Sequence, residues 1–147
     1  MKGIHLLIGV HNHQPVGNFD FICKEAFQKA YEPFIRTLYK FPNVKMNLHF
    51  SGALLLWIAE HSDSLTEMLR KMVQKGQVEM FTGGFYEPVL AVIPEADQRK
   101  QIEKLTAFVD RLFGARPKGL WLAERVWEPH LPPVLSQCGI EYVAVVV

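Results

Sequence analysis

Three stretches of the 147-residue chain concentrate side chains that can do chemistry: "HNHQP" at 11–15, "GQVEMFTGGFYEP" at 76–88 and "WLAERVWEP" at 121–129. They hold His11, His13 and Gln14, then Glu79 and Glu87, then Trp121, Glu124, Arg125 and Glu128. Carboxylates, imidazoles and large aromatics, without a phosphate loop, fit two reaction classes. In glycoside chemistry one carboxylate attacks or stabilises the anomeric carbon and another protonates the leaving oxygen, about 5–5.5 Å apart in the retaining mechanism. Aromatic faces then stack on the C–H faces of the sugar, while His, Gln and Arg bond its hydroxyls. In metal-assisted hydrolysis the His11-x-His13 pair grips a divalent ion, with Glu79 or His49 adding ligands. A sugar-binding module without catalysis is a third reading.

Taken singly, several of these residues have plainer explanations. His11 or His13 alone reads as a loop histidine bonded to backbone, and His49 as a half-buried residue at a strand end. Glu87 and Glu128 each precede a proline and fit loop geometry as well as function. Trp57, in "LLLW", reads as helix core. Glu79 is different. It interrupts the apolar run "QVEMF", and a carboxylate there needs a partner or a wet cavity, because burying it unpaired costs several kcal/mol or forces its protonation. Gly83-Gly84 turns the chain and also permits a close backbone approach.

The elements that position these residues have an alternating rhythm. Apolar runs at 4–10, 44–50, 77–81, 119–123 and 140–147 read as five strands, short and without strict alternation, as in parallel sheets covered on both faces. Asp20 can cap a helix with Ile22, Ala26, Ala30, Phe34 and Leu38 inward, which Pro33 should kink or restart. A short helix comes next, at 51–60. Ser64 and Glu67 fit a capping box for another, which turns Leu65, Met68, Leu69 and Met72 inward and stops at Gly76. Pro94 opens a long helix with Ile102, Leu105, Val109 and Leu112 on one face, stopped by Gly114. A last short helix covers about 131–138. Strand–helix alternation means a parallel sheet with right-handed crossovers, either open and doubly wound or a β/α barrel. In both, ligands bind beyond the carboxyl ends of the strands. The chemical residues cluster at those ends, in "HNHQP", "HFSG", "TGGFYEP" and "ERVWEP". The opposite ends read "FPNVK", "KGQ" and "RPKG".

Composition narrows the classes further. The length suits a single domain, 1–147, with a real core. About half the residues are hydrophobic and a fifth charged, which is ordinary for a soluble globular chain. A formal net charge of +1 and the absence of a Lys/Arg-rich run argue against nucleic acid as a partner. Cys23 and Cys138 suggest neither a disulfide framework nor a zinc knuckle. No run reaches the length of a membrane span, and the N-terminal stretch reads as a strand rather than a signal peptide. A cytoplasmic protein without membrane attachment is the expectation.

The three stretches, in their order and spacing, resemble the first three signature regions of glycoside hydrolase family 57. The chain as a whole is similar to the N-terminal part of that family's catalytic domain. "HNHQPVGNFDFI", "NLHFSGALLLWI" and "GFYEPVLAVIP" bring it nearest to the 4-α-glucanotransferase members, with α-amylases sharing the same regions. The resemblance implies an α/β fold, the N-terminal part of a (β/α)7 barrel that is incomplete within this chain. It implies retaining chemistry on α-glucans and malto-oligosaccharides without a cofactor or a metal. The family nucleophile, the glutamate of "WLxER", falls on Glu124. The family's cleft histidines and second-region glutamate fall on His11, His13 and Glu79. Gln14 of "HNHQP" and Trp121 belong to the same sugar-binding wall, and Arg125 is placed to orient or charge-balance Glu124.

The family's acid/base is an aspartate of a fourth region, beyond residue 147. The chain alone is therefore expected to be inactive on α-glucans, as a piece of a longer enzyme, and either to self-associate through the exposed strand at 140–147 or to form an open, doubly covered sheet.

Overall fold

Five parallel strands, β1 (Gly9–Asn12), β2 (Met46–Phe50), β3 (Val78–Phe81), β4 (Gly119–Trp121) and β5 (Tyr142–Ala144), lie side by side in the order in which the chain makes them. This is a computed structural model, which describes residues 3–145. Ladders run parallel from β1 to β2, from β2 to β3 and from β4 to β5. A single bridge between Thr82 and Leu120 joins the two halves, with Thr82 N–H donating to the Gly119 carbonyl (2.9 Å) and Trp121 N–H to the Thr82 carbonyl (2.8 Å). Sequential order without a reversal is the winding of a β/α barrel. A doubly wound sheet reverses its order at a switch point, and none occurs among the described strands.

The helices between the strands are α1 (Asp20–Ala26), α2 (Glu32–Tyr39), α3 (Gly52–His61), α4 (Asp63–Gln74), α5 (Glu95–Phe113) and α6 (Leu131–Gln137). They bury one face of the sheet. Leu48 and Phe50 of β2 and Val78 and Met80 of β3 pack with Leu54 and Ile58 of α3, Leu65 and Leu69 of α4 and Leu105 and Val109 of α5. Leu120 of β4 continues this layer with Ile102, Leu131 and Leu135. Strand alternation sends the intervening residues to the other, concave face. There Gly9, Asn47, Glu79, Phe81, Trp121 and Tyr142 line an open cavity of about 660 Å³. Glu79 is exposed on it, accepting from Asn47 Nδ2 (3.0 Å) and from the Tyr142 hydroxyl. The carboxylate in the apolar strand thus has both a partner and an open cavity. Gly119 lets Tyr142 reach across: a Cβ there would lie 2.4 Å from the Tyr142 ring and 2.6 Å from Phe81.

Several local expectations are corrected. Only Gly9–Asn12 of the first apolar run forms a regular strand. Ile4, Leu6 and Leu7 are largely exposed. The expected strand at 140–147 is regular only over Tyr142–Ala144, and Val146 and Val147 lie outside the described residues. Asp20 is the first residue of α1 rather than its cap, and its carboxylate accepts from Trp57 Nε1 (2.7 Å). The cap of α4 is Ser62, whose hydroxyl accepts from Leu65 N–H (3.3 Å), so the capping box at Ser64 and Glu67 does not form. Glu67 pairs with Arg70 instead. Pro33 stands in the first turn of α2, where the regular α-helix resumes. A π turn over Phe27–Tyr31 precedes it, with right-handed helical backbone at both junctions. The wider turn accommodates the missing proline N–H and the crowded carbonyl four residues back. Pro94 flanks α5 at its N-cap rather than opening it.

Candidate active site

At the carboxyl ends of β1 and β4, His11, His13, Glu87, Trp121, Ala123, Glu124 and Arg125 line a cavity of about 260 Å³. β1 places His11, and the chain leaving it places His13. The loop after β3 folds Glu87 back over both. Trp121 ends β4, and after Leu122 the chain turns tightly through Ala123–Arg125 with non-helical backbone at Glu124. The asymmetry read from the sequence thus becomes one concavity, on the side where α/β sheets bind ligands.

The backbone singles out the same place. Among the described residues three non-glycine positions have positive φ: Glu87 at 52°, Glu124 at 54° and Arg125 at 55°. All three line this cavity. Side chains rarely adopt this conformation, which costs of order 1–3 kcal/mol per residue and persists only where the surroundings impose it.

Behind the cavity lies a chain of polar groups. His11 Nδ1 and His49 Nδ1 share a hydrogen bond of 2.8 Å. His49 is 1% exposed. Glu87 Oε1 is 3.5 Å from both His11 Nε2 and His49 Nδ1, while Oε2 meets His13 Nδ1. The Glu87 side chain is 9% exposed. The imidazole of His11 stacks on the indole of Trp121. Gly83 and Gly84 make their close approaches within the protein: a Cβ on Gly83 would sit 2.8 Å from His49 Nε2, and one on Gly84 would sit 2.6 Å from Pro88 Cδ.

Burial sets the protonation of this group. It pushes the Glu87 carboxyl up to about 7, helped by the neighbouring carboxylate of Glu124. It pulls His49 well below the usual imidazole range, with His11 and His13 adding to the effect. His11 is lowered by burial and then by His13, and His13 by burial, with Glu124 opposing in both. The histidines are thus disposed towards the neutral form, and Glu87 takes up a proton more readily than an ordinary carboxyl, despite the ion-pair geometry of their contacts.

Of the residues singled out from the sequence, His11, His13, Trp121, Glu124 and Arg125 come together here. Glu79 stands one step deeper: its ladder partner is Asn47, two residues before His49, and it opens into the larger cavity, which shares Trp121 as a wall. Gln14 faces elsewhere, donating to the Tyr31 hydroxyl (2.8 Å) and accepting from Asn18 Nδ2 (2.6 Å). Arg125 makes no ion pair with Glu124 among the described residues. Glu128 lies outside the cavity, on the approach to α6, where its carbonyl accepts from Leu131 N–H (3.0 Å). His49 is fully buried rather than half-buried, and Trp57 packs beside Phe27 at the core margin. Sequence reasoning undervalues His49 and Glu87. The only signal for Glu87 is its place in "GGFYEP", after a strand end.

An incomplete parallel barrel with carboxylates, imidazoles and an aromatic wall at its carboxyl-end mouth has the architecture of a barrel glycosidase. The chain belongs to glycosyl hydrolase family 57, whose model matches residues 7–145. It is 49% identical to "Alpha-amylase 1" of Dictyoglomus thermophilum over 98% of this chain and 21% of that protein. It is 48% identical to the 4-alpha-glucanotransferase of Thermococcus litoralis over 99% of this chain and 22% of that protein. The crystal structure of the latter superposes with a TM-score of 0.91, covering 95% of this chain and 22% of its own. The chain thus spans about a fifth of the length of these relatives. Among the described residues no helix is long and apolar enough to cross a membrane.

Proposed function

We propose that this chain carries the nucleophile and part of the sugar-binding wall of a retaining enzyme acting on α-glucans. The observation that carries the reading is the meeting of Glu124 with His11, His13 and Trp121 in one cavity at the strand ends. Glu124 attacks the anomeric carbon, forming the glycosyl–enzyme ester as the leaving oxygen departs. Trp121 offers an apolar face to the sugar ring, and His11 and His13 bond its hydroxyls. Arg125 lines the same cavity as Glu124 and supplies a positive charge there. Glu79 and Gln14 act from farther out, Glu79 in the adjoining cavity. A second carboxylic acid protonates the leaving group, and we assign it to no residue of this chain.

The relatives named alpha-amylase and 4-alpha-glucanotransferase are almost equally similar, so identity does not choose between hydrolysis and transfer. Transfer wins where an acceptor sugar outcompetes water at the covalent intermediate. Product analysis on maltotriose, using an enzyme that contains this chain, decides the matter. Longer and shorter products mean transfer, only shorter ones mean hydrolysis, and an untouched substrate overturns the reading.

One observation favours a second reading, metal-assisted hydrolysis. His11, His13 and Glu87 each offer a ligand atom within 4.8 Å of the others, a donor set that suits a zinc-like ion. It requires a stoichiometric metal, which zinc titration and subsequent elemental analysis detect.

A further inference from the structure

We infer that Glu87 is a positioning residue for the sugar-binding histidines, kept in a strained backbone for the sake of its carboxyl group. The inference rests on the α-glucan reading only for the identity of the ligand.

A residue with φ of 52° is most easily satisfied by glycine, and Gly83 and Gly84 stand only a few positions upstream. A glutamate in that conformation is retained where its side chain is needed and the surroundings over-determine the backbone. Both conditions are met. The loop is tied down on every side. Gly52 N–H donates to the Phe85 carbonyl (2.9 Å), Phe85 N–H to the Gln101 carbonyl (3.2 Å) and Glu87 N–H to the Gly84 carbonyl (3.0 Å). Tyr86 N–H donates to Gln101 Oε1 (3.0 Å). The side chain so aimed is largely withdrawn from solvent. One carboxylate oxygen meets His13 Nδ1, and the other lies 3.5 Å from His11 Nε2 and His49 Nδ1. That inner oxygen is buried and has no hydrogen-bond partner among the described protein groups.

With His49 Nδ1 on His11 Nδ1 and Glu87 on His13, each histidine is held from behind by one buried group. Each ring then faces the cavity in one orientation. Support of this kind is what fixes a binding constellation to the tolerance that recognition demands.

The test uses the chain itself, with its histidine ring resonances tracked by NMR, its Tm measured, and maltotriose as the probe. In Glu87→Gly the Tm should hold or rise, because the strain is relieved. The ring signals of His11 and His13 should move, and maltotriose affinity should fall at least tenfold. Glu87→Gln, which keeps the shape and an acceptor oxygen, should restore most of that affinity. Unchanged histidine signals in Glu87→Gly would overturn the inference. So would loss of the fold, since Glu87 would then serve the fold and not the site. If the histidine signals move but the unaltered chain shows no response to maltotriose, the α-glucan reading falls and the positioning role stands.

Discussion

The imidazole of His11 lies parallel to the indole of Trp121, 4.8 Å between ring centroids and 4° between planes, although β1 and β4 are separated by β2 and β3. In a flat sheet three interstrand spacings would hold these strands about 14 Å apart. The stack therefore reports curvature: the sheet curls so that its carboxyl ends converge, and the convergence makes the cavity. His11 and Trp121 are far apart in sequence, adjacent at the mouth, and each completes the other's position.

Replacing Trp121 should accordingly cost both stability and recognition. Trp121→Ala removes the His11 stack, and an aromatic pair of this kind contributes about 0.5–1.5 kcal/mol beyond its buried area. A loss of roughly 1–3 kcal/mol by urea unfolding is expected, the usual range for a single damaging substitution, together with weaker malto-oligosaccharide binding. Trp121→Phe should recover much of the first and less of the second. Unchanged sugar binding in Trp121→Ala would remove the residue from the wall.

Glu87 gives a prediction in pH. Its carboxyl is raised from the usual 4.5 to about 7 in the folded chain. Between those values the folded state holds a proton that the unfolded state has released, so this group's contribution to stability falls as pH rises from about 4.5 to 7. Glu87→Gln keeps the neutral form at every pH. The difference in stability between variant and parent should be small below about pH 4.5 and should grow in the variant's favour towards pH 7, by ~1 kcal/mol once solvent screening is allowed for. Denaturant melts across that range test it, and a difference that does not change with pH would contradict it. Histidines lowered by burial act in the opposite sense, destabilising the parent as pH falls below about 6.5, and because His11 and His13 touch Glu87 the comparison reads the carboxyl together with its effect on their titration.

The helix pattern and the carboxyl-end clustering are legible in the sequence because both arise from periodicity. A buried parallel strand is a short apolar run, and the residues just past its end stand at the binding face. That is why His11, His13, Trp121 and Glu124 can be grouped from the sequence alone. Glu87 and His49 cannot be weighted correctly in that way. Whether a glutamate after two glycines turns outward or folds back depends on a positive φ imposed through Gln101 and Gly52, which no local pattern encodes. The first strand is shorter than its apolar run for a related reason. The run promises burial, yet Ile4 and Leu7 stay largely exposed, and hydrophobicity alone does not cover them. Pro33 reads as a break because a normal α turn cannot absorb it, whereas a π turn can.

Gly119 tests the concave face. An Ala here would place its Cβ 2.4 Å from the Tyr142 ring, and overpacking of this kind costs typically about 1–3 kcal/mol. Gly119→Ala should destabilise by about that amount and separate the Tyr142 hydroxyl from Glu79. Combining it with Tyr142→Ala should give a loss short of the sum of the single changes, because the contact with the Tyr142 ring disappears while the one with Phe81 remains. Additive losses would show that Tyr142 does not lie over Gly119.

Metal dependence separates the two chemical readings. If His11 and His13 bond sugar hydroxyls directly, purified protein should carry no stoichiometric metal, and a chelator should leave maltotriose binding unchanged. One tightly held zinc, lost on replacing His11, His13 or Glu87, would favour the metal-dependent hydrolase.

The central claim, that Glu124 is the nucleophile of a glycosyl-transfer site, is tested most directly by trapping. A 5-fluoro-α-glucosyl fluoride carries a leaving group that needs no protonation, so the first half-reaction can run without the second carboxylic acid. The C1–F bond breaks, fluoride leaves, and a carboxylate oxygen takes its place at C1. Mass spectrometry of the digested protein then locates the ester. The account predicts a single fluoroglucosyl adduct on the peptide containing Glu124, abolished in Glu124→Gln. An adduct on Glu79, Glu87 or Glu128, with Glu124 unmodified, would contradict it.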